Sequence, residues 1–244
     1  MLNELLLLSG NDIPFPQAQL TIHPPTLKEI ALLGEDTFYT GCEFLRFSKD
    51  NLSEQDKSNL TEQTNFEVIM SILKEQNATI QKIRTCVILL LAILFPEYEI
   101  SLEDTIKLTH NQTREEHHIT KDNYDAFIGI LNEALCLKVS GGGADYNPSG
   151  DIAKRIAEKL KKRQQTLAEE KGPQKIAILS RYASILAVGV QQDLNNLMQY
   201  TIYQLFDEFQ RFELKISNDL HFQARMAGAK DLKEVEDWMK DIHS

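Results

Sequence analysis

The stretch "DLNNLMQYTIYQLFDEFQRFELKISNDL" (193–220) constrains this chain more than any other. Leu194, Leu197, Met198, Thr201, Ile202, Leu205, Phe206, Phe209, Phe212 and Ile216 recur at i, i+3 and i+4 over about six turns. The spacing predicts one long amphipathic helix with Asp193 as its cap. A helix of this kind gains its stability from whatever covers its apolar face. The stripe is therefore core packing in the first place, with part of it left for a partner.

Other segments read the same way. "TLKE" at 26–29 and "TNFE" at 64–67 are capping boxes, with Thr26 and Thr64 as caps and Glu29 and Glu67 three residues on. The first opens a helical stretch that Gly34 and Gly41 weaken in its middle. "NATIQKIRTCVILLLAILFP" is capped by Asn77 and stopped by Pro96, and Ile80, Ile83, Val87, Leu90, Leu91 and Leu94 share one face. Phe127, Ile130, Leu131 and Leu135 mark a further helix. The fold class expected is mainly α. A minor β element interrupts it: Tyr98, Ile100 and Leu102, then Ile106 and Leu108, alternate as a short hairpin over 98–110. A single edge strand is expected near 18–23, among Pro14, Pro16, Pro24 and Pro25.

Charge divides the chain. Residues 1–139 hold 11 Lys+Arg against 21 Asp+Glu, whereas 140–244 hold 15 of each, so the whole deficit lies in the first part. "SGGGADYNPSG" (140–150) coincides with that change and predicts a Gly-rich linker. It separates an acidic N-terminal helical domain (1–139) from a C-terminal helical domain (151–244). Cys42, Cys86 and Cys136 are scattered, with no CxxC spacing, and read as reduced thiols in a cytoplasm. "MLNELLLLSG" lacks a basic start, so no export signal is expected. "CVILLLAILF" (86–95) is half the roughly 20 residues that a bilayer needs, and reads as a buried core helix rather than a membrane span.

No segment carries a catalytic signature. "GGG" at 141–143 lacks the rest of a phosphate loop. "REEHHIT" (114–120) offers adjacent His117 and His118, which on a helix point about 100° apart and suit no metal; it reads as a solvated loop. The chain reads as a non-enzyme with no cofactor. "KRIAEKLKKR" (154–163), with Lys154, Lys161 and Lys162, has no interleaved aromatic, which argues against nucleic acid and for a solvated face or an acidic protein partner. The tail "KDLKEVEDWMKDI" places Leu232, Val235, Trp238, Met239 and Ile242 on one helical face. It is either a clamp on the chain's own 194–216 helix or a dock for a partner or neighbouring copy.

"YNPSGDIAKRIAEKLKKRQQTLAEEKG", "SRYASILAVGV", "MQYTIYQLFDEFQRFELKISNDLHFQARMAGAK" and "EDWMKDIH" follow in this order over 146–244. This set resembles the tail assembly chaperones encoded upstream of the tape-measure gene in long-tailed phages and prophages of Gram-positive bacteria. The resemblance implies a host-cytoplasmic factor that binds the tape-measure protein as a homo-oligomer. It also implies a C-terminal extension, often reached by ribosomal slippage, that recruits tail tube protein. A structural tail or baseplate protein, and a nucleic-acid-binding phage regulator, are the rival readings.

Overall fold

In a computed structural model of the chain, the described residues are 2–49, 63–137, 178–229 and the single positions 237 and 239. In chain order they form α1 (Glu4–Ser9), β1 (Ile13–Phe15), a 3-10 turn (Pro16–Ala18), β2 (Leu20–Ile22), α2 (Leu27–Leu33) and α3 (Glu35–Leu45). Then come α4 (Asn65–Leu73), α5 (Ala78–Leu94), β3 (Tyr98–Leu102), β4 (Ile106–His110), β5 (Glu116–Ile119) and α6 (Tyr124–Ala134). The last are α7 (Ile178–Gly189), α8 (Leu194–Leu197) and α9 (Ile202–Met226).

The fold is mixed α/β, though mostly helical, which corrects the expectation of a mainly α protein. Two antiparallel sheets are present, β1-β2 and β3-β4-β5. The hairpin over 98–110 forms, with Ile100 opposite Leu108 and Leu102 opposite Ile106. The strand near 18–23 pairs with β1, where Ile13 stands opposite Ile22 and Pro14 opposite Thr21. β5 is the further departure, because "EHHI" is a strand and not a loop. Ile119 and His117 point inward on alternate positions while Glu116 and His118 face out. Only one of the four is apolar, so the period of two is masked in the sequence.

The capping chemistry is formed as the spacing predicts. Both boxes, Thr26 with Glu29 and Thr64 with Glu67, close in both directions, and Asn77 caps α5. Gly34, at φ 92°, separates α2 from α3. Gly41 does not break α3. It lets α3 cross closely over α5, since a Cβ there would stand 3.0 Å from the Cys86 carbonyl and 3.1 Å from Leu90. Two corners of the structure are tied by Arg84 on α5, which donates to the Leu73 carbonyl at 3.0 Å and the Leu102 carbonyl at 2.8 Å.

The core centres on Phe15, Phe95, Phe127 and Tyr124, whose rings meet at 6.0–6.3 Å, with Leu90, Leu91 and Leu94 of α5 fully enclosed beside them. Burial of Cys42 pushes its thiol up to about 12, which leaves it an inert core group. Among the described residues no single helix is long and apolar enough to cross a membrane. The pair α4 and α5 passes that test only together, across a bend of 117°.

The chain divides into two compact units, 1–137 with 179–244, and 138–178. The second lies outside the described residues except for Ile178, and so does the expected linker at 140–150. Within the first unit, α7 to α9 share one core with 2–137. The sequence reading placed 151–244 in a domain of its own. The packing instead joins 179–229 to the N-terminal elements, for Leu179, Leu186, Leu197, Ile202 and Leu205 are buried in the same core cluster as residues of 7–135.

Candidate functional site

The long helix expected from Asp193 onward is broken. Asp193 caps only α8, and a new capping box, Thr201 with Gln204, starts α9. Its T-x-x-Q signal stands in the sequence but was hidden inside a continuous apolar stripe. The break is where the start of α2 meets residues 198–201. Thr26 bridges Thr201; the Leu27 amide donates to the Tyr200 carbonyl and the Lys28 amide to the Met198 carbonyl, both at 2.9 Å. Residues 198–200 thus satisfy the first two orphan donors of α2, and Thr26 Oγ1 takes the third. Gln204 does double duty, for its Nε2 also donates to the Leu8 carbonyl at 2.8 Å.

His23 stands beside this junction. Its Nδ1 lies 3.0 Å from Asp12 and its Nε2 3.3 Å from Glu29. Burial pulls the imidazole pKa down, but the hydrogen bonds and charges of the two carboxylates outweigh it and leave the pKa raised. Burial pushes the Glu29 carboxyl up, yet the Thr26 amide and hydroxyl and His23 hold it below its ordinary value. This is a structural network: both carboxylates are spent on His23 and on the cap. His117 is likewise engaged, donating from Nδ1 to the Ala18 carbonyl at 3.1 Å and lying edge-on to Tyr98. Among the described residues no group of three or more His, Cys, Asp or Glu is placed to hold a metal ion.

The surface that stands out is apolar and helical. Leu179, Ala183 and Leu186 of α7 are buried, and Tyr182 stacks on Phe209 at 3.9 Å and 15° while meeting Phe206 edge-on. Gly189 ends α7 against α9, where a Cβ would fall 2.0 Å from the Phe212 ring. The other side of α7 is uncovered: Ile185 and Val188 are exposed, Val188 at 83%, followed beyond the helix by Val190 and Leu194. On α9 the stripe buried at Ile202, Leu205 and Phe209 continues to Ile216, 40% exposed, and Leu220, 60% exposed. Exposed apolar side chains therefore stand on α7 and along the second half of α9.

Of the expected interaction residues, Leu232, Val235, Trp238, Ile242, Lys154, Lys161 and Lys162 lie outside the described residues. Met239 is described and exposed. Sequence periodicity locates the stripe on α9 but does not say where the body stops covering it, so it separates neither Ile216 from the core nor Val188 from the rest of α7.

The arrangement defines a protein with an uncovered helical face joined to a capped α/β body. Residues 170–243, which include α7 to α9, match the family model described as the YomV second domain, a phage-related family; YomV is a Bacillus prophage protein. No curated protein and no solved structure matches the chain.

Proposed function

We propose that this chain is a phage tail assembly chaperone that binds the tape-measure protein and helps to recruit tail tube subunits. The observation that carries the reading is the exposure of apolar residues on two helices, Ile185 and Val188 of α7 and Ile216 and Leu220 of α9. A tape-measure chain, as the family resemblance describes it, is long and helical with apolar stripes. Such a stripe fits exposed apolar helix faces by the helix-in-groove mode, where apolar residues of the client at i, i+3 and i+4 meet an apolar surface. The phage-related match over 170–243 covers the same helices and supports the reading.

Co-expression tests it. The tape-measure protein made alone is expected to be insoluble, and made with this chain to stay soluble and co-purify. Val188→Glu is expected to abolish co-purification while leaving the fold intact, because its side chain is exposed. Lys161→Ala with Lys162→Ala is expected to leave the complex in place, and moderate salt to weaken it little, since apolar burial and not ion pairing holds it. A tape measure that ignores this chain, with the chain found instead in washed virions at fixed copy number, would establish the structural tail protein in place of the chaperone.

A further inference from the structure

A second seam runs along α9, about a quarter-turn round the helix from Ile216 and Leu220. Glu208, Phe212, Lys215, Asp219, Phe222 and Met226 follow one another at spacings of 4, 3, 4, 3 and 4 residues. That is the alternation of a two-helix seam. Lys215 and Asp219 are exposed, Phe222 is 65% exposed and Met226 75%. Phe222 and Met226 are large apolar groups in a helix that has left the body, so the position favours a cover.

The charges say which cover. In a parallel pair of identical helices each seam residue meets itself, so Lys215 would face Lys215 and Asp219 would face Asp219. In an antiparallel pair centred at Ser217, Lys215 of one copy shares a layer with Asp219 of the other. The same register puts Phe212 with Phe222, and Glu208 with Met226, whose thioether lies on the carboxylate's methylene stem. Every layer occurs twice by the two-fold axis. An unrelated apolar helix would leave the lysine and the aspartate facing apolar groups. The seam is self-complementary in one orientation only.

We infer that two copies of this chain pair antiparallel along the Phe212–Met226 seam of α9. The aromatic layers supply the burial, and the two Lys215–Asp219 layers fix orientation and register, as polar layers do in coiled coils. The inference stands apart from the identity of the client, which is proposed to meet Ile216, Leu220 and α7.

Sedimentation equilibrium of the full chain tests it. The unmodified chain is expected to be a dimer. Phe222→Glu is expected to give a monomer with unchanged far-UV circular dichroism, the side chain being largely exposed. Lys215→Asp, which sets two carboxylates together in two layers, is expected to weaken the dimer about tenfold or more. Adding Asp219→Lys to that chain restores the pairing in reverse and is expected to bring the dimer back. A monomer at concentrations up to about 100 µM overturns the inference. So does a dimer that survives Phe222→Glu, a dimer indifferent to Lys215→Asp, or a charge swap that fails to restore what the single change removed.

Discussion

The two halves of α9 are built from the same pattern and meet different fates. Over Ile202–Phe209 the stripe is closed by α7 and the N-terminal core; from the half-buried Phe212 to Met226 the same spacing goes on with little over it. The helix has 25 residues, about 37 Å. Amphipathic spacing thus specifies a face and leaves the identity of its neighbour open. A half covered from within contributes to stability, and a half left uncovered is free to contribute to association.

One substitution made in each half separates them most sharply. Leu205→Asp, at a fully enclosed position, is expected to unfold the protein or cost about 4 kcal/mol, because a carboxylate there has no partner. Leu220→Asp is expected to shift stability by no more than about 0.5 kcal/mol. Chemical denaturation of both settles it, and equal losses would show that the second half is core as well.

At the border between the halves, Gly189→Leu sets a side chain where the Phe212 ring lies. The ring, half-buried, must swing out, for an expected loss of about 1–2 kcal/mol in the same measurement. A smaller effect belongs to the start of the buried half. Thr201→Ala removes the acceptor for the Gln204 amide and is expected to cost about 1 kcal/mol.

The smallest effect is protonic. His23 has a raised pKa in the folded protein, so its contribution is complete below the ordinary imidazole value of 6.5 and is lost as pH rises through the folded value. Glu29 has a lowered pKa, so its contribution is present above 4.5 and is lost as pH falls through its folded value. The melting temperature is therefore expected to sag on both sides of mildly acidic pH, and His23→Gln to flatten the alkaline side. An alkaline slope unchanged by that substitution would assign it to other groups.

What could be read from the residues was local. Thr26, Thr64 and Asn77 announce their helices because a cap is a contact between near neighbours. The 98–110 hairpin shows for the same reason. β1 and β5 escaped, because Ile13-Pro14-Phe15 and Glu116–Ile119 are short and owe their pairing to strands supplied elsewhere. The break before Thr201 escaped because an apolar stripe runs through it unaltered. The candidate surface was legible as a stripe and illegible as a surface, since exposure at Val188 or Phe222 depends on where the rest of the chain goes.

The bridge between Thr26 and Thr201 carries a consequence for synthesis. The amides of Leu27 and Lys28 find their acceptors in residues the ribosome adds far later. A nascent chain that has reached the end of α6 holds a helix start with two open donors and a core without its cover. Closing it requires a long loop to be brought together late, which slows folding and lengthens the time during which apolar surface is on offer. Any shortened product ending before residue 198 would lack those acceptors for good, and would be a different folding problem from the full-length chain.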